Sequence, residues 1–257
     1  MAGWDNPDVD LLYDINGLAK DAPAWADRAA GHIGEYGILA ALVLVACWAW
    51  WSVRRRSADR ETAVTSMAAL IWGPLAAGIA VLVNIPVRGL VERPRPFREH
   101  KGLEVLATGK NDFSFVSDHA TLAMALAVGL FMVNRRFGLV GLALALLEGF
   151  CRVYMGVHYP TDVIGGLALG TAAALLLAPV ALWLLTPLVR TVAGSARVGG
   201  LVWAPAAGVA AVAADGGADG TGARTGGTGG SGEGEPAAGP GDERAGAGKP
   251  YDGDLAA

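Results

Sequence analysis

Residues 64–87, VTSMAALIWGPLAAGIAVLVNIPV, run for 24 positions without a charged side chain. A helix rises about 1.5 Å per residue, so this run is long enough to cross a hydrocarbon core roughly 30 Å thick. Three further apolar runs lie at 36–53, 119–133 and 162–189. Another, 138–156, is interrupted only by Glu148 and Arg152 near its end. A weaker stretch, 198–213, is mostly Gly, Ala and Val. The pattern predicts an all-α polytopic membrane helix bundle with five spanning helices, six being the alternative.

Composition agrees with that class. Hydrophobic residues make up 53% of the 257-residue chain and charged residues 17%, where a soluble domain carries about a quarter. A formal charge of -4 argues against a nucleic-acid binder, which would show a basic stripe. Cys47 and Cys151 both sit in apolar runs and offer neither a disulfide framework nor a zinc site.

Three segments follow. Residues 1–35 form an N-terminal interfacial segment in which 8–33 mix polar and apolar positions at helical spacing and are expected to form an interfacial helix leading into the first span. No basic stretch followed by an apolar run and a small-residue cleavage site opens the chain, so no cleaved signal peptide is expected. Residues 36–213 form the membrane domain. Residues 214–257 are Gly- and Ala-rich and acidic, without apolar periodicity, and are expected to be disordered because they cannot bury enough surface to offset ordering entropy.

Charge sets the expected orientation. Arg54, Arg55, Arg56 and Arg60 crowd the first connection, Arg135 and Arg136 the third, and Arg190 and Arg197 follow the last span. With five alternating helices these fall on one side, which the positive-inside rule makes cytoplasmic, and the C-terminal tail is placed with them. The other face carries the N-terminus and the segments 88–116 and 157–161. The first of these is arginine-rich against the rule, which points to work for its charges there. The eight tryptophans, with Trp48, Trp50 and Trp51 together, are read as an interfacial belt.

Three polar stretches gather at that outer face. In RGLVERPRPF (88–97), Arg88, Arg93 and Arg95 lie on a backbone stiffened by Pro94 and Pro96. Guanidinium forks match phosphate oxygens bidentately. In VSDHAT (116–121), Ser117 is a good N-cap before an apolar run; its helix end favours an anion, and His119 can exchange a proton near neutrality. In CRVYMGVHYPTD (151–162), His158 and Asp162 are four apart, so the acid can orient the imidazole. Arg152 at the membrane edge is costly unless it meets an anion, and Glu148, one turn before it, can share its face. The bland readings of these stretches are a solvated headgroup loop, an ordinary helix cap and a loop with one ion pair.

Together the three stretches resemble the tripartite signature of the type 2 phosphatidic acid phosphatase superfamily, K-x6-R-P, P-S-G-H and S-R-x5-H-x3-D. Arg88 with Arg95-Pro96 matches the first, with Arg for Lys. Ser117-Asp118-His119 matches the second, with Val116 for Pro and Asp118 for Gly. Arg152, His158 and Asp162 match the third at full spacing, with Cys151 for Ser. The wording R-P-R-P-F with S-D-H-A-T is similar to bacitracin-resistance-type undecaprenyl-diphosphate phosphatases.

The resemblance implies that His158 attacks phosphorus to give a phosphohistidine, that Asp162 orients it and that His119 protonates the departing oxygen. The residues alone leave open which histidine attacks. Arg88, Arg95 and Arg152, with the backbone at Ser117, would hold the phosphate oxygens, and the family needs no metal or cofactor. Asp118 should repel an anion unless it pairs with an arginine such as Arg93, while Glu148 is expected to position Arg152. The substrate implied is a polyprenyl diphosphate, undecaprenyl diphosphate or a related carrier, cleaved on the outer face of the cytoplasmic membrane with lipid as the surrounding partner. The alternatives are another lipid phosphate (phosphatidic acid, phosphatidylglycerol phosphate or a prenyl monophosphate) and, in a different class, a non-enzymatic lipid-binding or transport protein.

Overall fold

A computed structural model describes residues 6–204 apart from 108 and 110, and all of its regular structure is helical. The longer helices are α1 (Pro7–Lys20), α2 (Ala24–His32), α3 (Ile38–Arg56) and α4 (Arg60–Val91). After the short α5 (Pro96–Glu99) come α6 (Asp118–Val133), α7 (Arg135–Tyr154), α8 (Pro160–Leu176) and α9 (Ala178–Gly194). The expected tail, 214–257, lies outside the described residues.

Helix starts follow capping chemistry. Asp59 accepts from the Thr62 N–H at the head of α4 (2.8 Å), and Asn134 from the Arg136 N–H at the head of α7 (2.9 Å). Each takes up one of the N–H groups that a helix end leaves without a partner. Asn134 also ends α6, so α6 and α7 meet at one residue. At the far end of α4, Glu92 adopts a left-handed conformation (φ 48°) and turns the chain into the arginine stretch.

Three helical stretches are long and apolar enough to cross a membrane: Ala24–Arg56, Arg60–Glu99 and Arg135–Tyr154. The bent pair α8–α9 makes a fourth if taken as one span, while α6 is apolar but only 16 residues long. The expected single run over 162–189 is therefore two helices bent by 53°. The cause is Pro179 just inside α9, which has no N–H to continue the ladder and crowds the carbonyl one turn back. The weak stretch at 198–213 begins as a 3-10 turn, Gly199–Leu201, with Val202 packed on Val53 and Val64 rather than as a helix; residues beyond 204 lie outside the description. Large apolar side chains face outward, among them Leu44, Leu82, Ile85 and Trp183, each more than 60% exposed. The protein is a membrane protein with an apolar exterior.

Inside, the residues are small. Ala63, Ala68, Ala76, Ala80, Ala120, Ala123 and Ala125 are all fully buried. Surrounded by lipid, helices gain little from hiding apolar surface and associate through close packing, which small residues permit. A Cβ on Gly129 of α6 would stand 2.5 Å from the Gly73 Cα of α4, so these two backbones touch where a side chain would separate them. α6 packs against α4, α7 and α8 and is the central helix, with its N-terminus carrying the second polar stretch.

The N-terminal segment differs from the expected interfacial helix. It is two helices, broken at 21–23, and α2 runs through a π-helical turn, Ile33–Gly37, into α3. Nor does α1 lie free on a surface. Leu12 is fully buried against Ala120, Val153, Tyr159 and Val163. Asn16, also fully buried, donates to the Glu104 and Tyr154 carbonyls at 2.8 Å. This pairing satisfies the amide in an apolar setting and holds α1 over the turn between α7 and α8.

Candidate active site

Connectivity puts every polar stretch at one end of the bundle: the C-terminus of α4, the N-terminus of α6, and the turn from α7 to α8. The arginines of the connections α3–α4 and α6–α7 lie at the other end.

His158 occupies the turn Met155–Tyr159 and is 4% exposed. Its Nε2 is 3.3 Å from Nη1 of Arg95, and the same guanidinium nitrogen donates to the Val157 carbonyl at 3.0 Å. A guanidinium has only N–H donors, so Nε2 is the accepting nitrogen and keeps its lone pair toward Arg95. The proton of the neutral ring is then on Nδ1, which faces Asp162 Oδ2 at 3.6 Å, a distance too long for a hydrogen bond. Burial drives the His158 pKa below the ordinary imidazole value, the Asp162 carboxylate pulls the other way, and the Arg95 and Arg152 charges add to the lowering.

Asp162 is fully buried and well held. Oδ2 accepts from the Tyr159 N–H (2.9 Å), the reach-back of an acid at the third position of a helix, and from the Ser114 hydroxyl. Oδ1 receives Arg93 at 2.8 Å. Arg93 also meets Asp8 of α1 at 2.6 Å and the Thr161 hydroxyl at 2.7 Å, and lies 3.6 Å over the Tyr159 ring. Asp8, Ser114 and Thr161 do not stand out in the sequence as site residues.

Arg88 and Arg95 converge on one carboxylate. Asp112 takes Arg88 Nη1 at 2.8 Å on one oxygen, and Arg95 Nη2 and Nε at 2.7 and 3.1 Å on the other. Asp112 sits in an irregular loop with no motif around it. Asp118 pairs with Arg88 at 2.5 Å and accepts from the buried Asn84 amide at 2.7 Å. Its partner is thus Arg88 and not Arg93, because Arg93 turns toward α1 and Asp162. Ser117 caps α6 through the Ala120 N–H, but its own N–H donates to the Asp162 carbonyl at 3.1 Å. That bond takes up the backbone donor expected to face an anion and ties α6 to α8.

Arg152 is fully buried. Nε is 3.2 Å from Glu148 Oε1, and Nη1 and Nη2 are 3.1 and 3.2 Å from Glu35 Oε2. Nη2 also donates to the Gly34 carbonyl. The other Glu35 oxygen lies 4.0 Å from Nε2 of His119. Glu35 belongs to the π-helical turn and escaped the sequence reading, since its partners on α6 and α7 are about a hundred residues away in the chain. Beside it opens a cleft of about 470 Å³ whose lining includes Asp27, Arg28, His32, Tyr36 and Leu106. Among the described residues no group of three or more His, Cys, Asp or Glu is arranged to hold a metal ion.

Chemically, the site offers a neutral imidazole nitrogen against a guanidinium, a second imidazole against a carboxylate, and several arginines held in place by acids. Such an arrangement can bind an oxyanion, attack it and supply a proton.

Comparison with known proteins agrees with that chemistry. The PAP2 superfamily profile matches residues 69–185, which hold all three polar stretches. The chain is 32% identical over 159 residues to the undecaprenyl-diphosphatase BcrC of Bacillus subtilis, covering 62% of this chain and 76% of that one. It is 33% identical over 166 residues to the decaprenylphosphoryl-5-phosphoribose phosphatase of Mycobacterium tuberculosis, covering 63% and 84%. Among solved structures, a transmembrane PAP2 type phosphatidylglycerolphosphate phosphatase from Bacillus subtilis aligns with a TM-score of 0.48 at 22% identity, covering 68% of this chain and 86% of that one.

Proposed function

Given that the chain belongs to the PAP2 superfamily and is a membrane lipid phosphatase, we propose that it hydrolyses a polyprenyl diphosphate to the monophosphate and inorganic phosphate. The observation that carries the mechanism is the lone pair of His158 Nε2 turned toward Arg95. In the first step Nε2 bonds to the terminal phosphorus as the bond to the bridging oxygen breaks. His119 passes its proton to that oxygen, and the polyprenyl monophosphate leaves. Asp162 faces the Nδ1–H and stabilises the positive charge the ring acquires. Water then attacks phosphorus, the N–P bond breaks, and His119 takes a proton from the water.

The two imidazoles differ in surroundings, which supports dividing the roles this way. His158 faces a guanidinium and is buried, both of which favour a neutral nucleophile. His119 stands 4.0 Å from a Glu35 oxygen, a counter-charge for the ring when it carries the proton it donates. Arg88, Arg95 and Arg152 are assigned to the phosphate oxygens, where fixed positive groups stabilise the charge of the transition state. Ser117 and Asp118 border that site, Arg93 braces Asp162, and Glu148 braces Arg152.

The proposed setting has five spans: α2–α3 as one, α4, α6, α7 and the bent α8–α9. The active site faces the outer side of the cytoplasmic membrane, the arginine-rich turns the inner side, and the polyprenyl tail stays in lipid. Support for the diphosphate comes from the similarity to the B. subtilis undecaprenyl-diphosphatase. The similarity to a decaprenylphosphoryl-5-phosphoribose phosphatase favours a second reading, a polyprenyl phosphosugar monoester as substrate. Phosphate release from undecaprenyl diphosphate, undecaprenyl phosphate and a phosphorylated polyprenyl sugar, measured side by side with purified protein, decides between them. The proposal expects kcat/KM to be highest on the diphosphate; a higher value on a monoester overturns that choice of substrate.

A further inference from the structure

We propose that Glu35, presented by the π-helical turn between α2 and α3, is a positioning residue that holds His119 as the proton donor. The inference rests on the role given to His119 above and adds a residue from outside the stretch matched by the family profile.

Four observations carry it. The helix leading into α3 is uniform except at Ile33–Gly37, where its hydrogen bonding widens to the π pattern. Such single-turn interruptions gather at functional sites because they redirect a side chain that a regular helix would point elsewhere. The turn is also seated closely: a Cβ on Gly34 would lie 2.9 Å from Cys151 Cβ, so only glycine lets this backbone rest on α7. Seated there, the Gly34 carbonyl accepts from Arg152.

Arg152, in turn, fixes Glu35. It is fully buried and held at Nε by Glu148, and it grips Glu35 Oε2 through both terminal nitrogens at 3.1 and 3.2 Å. The other oxygen, Oε1, stands 4.0 Å from His119 Nε2, beyond hydrogen-bond reach but within the range of an ion pair. From Glu148 through Arg152 and Glu35 to His119 the groups alternate in sign, with the last one positive only when the imidazole holds its proton. When His119 carries its proton it faces a carboxylate there, and that is the form which can donate to a leaving oxygen. Glu35 is 20% exposed at its side chain and borders the polar cleft, so the pair stands where a headgroup can reach it.

The test is a double-mutant cycle on the purified full-length protein, using whichever lipid of the panel above the wild type cleaves fastest. Steady-state kcat and KM are measured for wild type, Glu35→Gln, His119→Ala and the double variant, with thermal unfolding of each as a check on folding. Glu35→Gln should lower kcat about tenfold or more, a larger change than in KM, because it impairs the proton donor and only loosens Arg152, which Glu148 and the Gly34 carbonyl still hold. In the His119→Ala background the same change should cost several-fold less in kcat, since the group it chiefly acts through is gone and only its hold on Arg152 remains. Glu35→Asp, which keeps the charge, should recover most of the loss. Equal losses in both backgrounds, an effect confined to KM, or Asp as impaired as Gln would each overturn the role of Glu35. A wild type that releases no phosphate from any lipid of the panel would instead overturn the phosphatase reading beneath it.

Discussion

Asp112 Oδ1 lies 2.7 Å from Nη2 of Arg95, and the other oxygen of the same carboxylate reaches Arg88. One acid thus spans the two guanidiniums that the proposed mechanism assigns to phosphate, in the manner of a bound oxyanion. Partial burial raises the Asp112 pKa, but the bond to Arg95 and the charges of Arg95 and Arg88 outweigh it and hold the carboxyl below its ordinary value. It is therefore ionised at neutral pH, and a phosphate entering here must displace it. Asp112→Asn should lower KM for the lipid substrate about three- to tenfold, the scale of one weakened charge-assisted contact. Initial rates over a range of substrate concentrations check this; a raised KM would show that Asp112 assembles the arginines rather than competing for them.

The His158 environment predicts its titration. Its folded pKa is below the ordinary value of about 6.5, so between those two values the unfolded chain binds a proton that the folded protein does not. Stability from this group is complete above the unfolded value and is lost as pH falls toward the folded one. NMR of the four labelled histidines, with His158→Gln to assign the signal, should show one imidazole still neutral at pH 6.5 in the substrate-free protein. A His158 signal with its midpoint at or above 6.5 contradicts the buried, lone-pair-bearing ring.

Removing Arg152 should damage the fold as well as the chemistry. The Glu148 side chain is 1% exposed, and Arg152→Ala would strip a buried pair of its cation, a change that costs about 3–5 kcal/mol. Thermal unfolding in detergent should show a large fall in midpoint for this variant. Arg190 and Glu61 form a pair in which both side chains are more than half exposed, and Arg190→Ala should barely move the midpoint. Equal shifts for the two variants would contradict the burial assigned to Arg152.

Much of the architecture was legible because apolar runs and their punctuation are local. The 24 uncharged residues at 64–87 mark α4, and Asn134 both stops one helix and starts the next. Pro179 was present in the run 162–189, yet an apolar composition conceals a bend that depends on one missing N–H. The role of α1 was hidden for a different reason. Asn16 looks like an ordinary polar residue of a surface helix until its amide is seen bonded to Glu104 and Tyr154, both far along the chain.

The site divides in the same way. Arg88, Arg95, Arg152, His119, His158 and Asp162 can be picked out because charged and titratable groups are conspicuous against apolar sequence. Glu35 and Asp112 could not be, since nothing near either of them announces a partner on another helix. Distant electrostatic complementarity leaves no mark in spacing. The same lack of local signal explains why Asp118 was expected to seek Arg93: sequence placed the arginines close together, but only the fold turns Arg93 toward Asp8 and leaves Arg88 for Asp118.

The central claim is that phosphorus passes through Nε2 of His158. The direct measurement is a rapid-quench experiment with a polyprenyl diphosphate carrying radiolabel on the terminal phosphate, stopped in alkali, where a phosphorylated imidazole survives and acyl phosphates do not. Wild-type protein should carry label on His158 within the first turnover, and His158→Ala should carry none and release no phosphate. Label on another residue, or undiminished phosphate release from His158→Ala, would contradict the account.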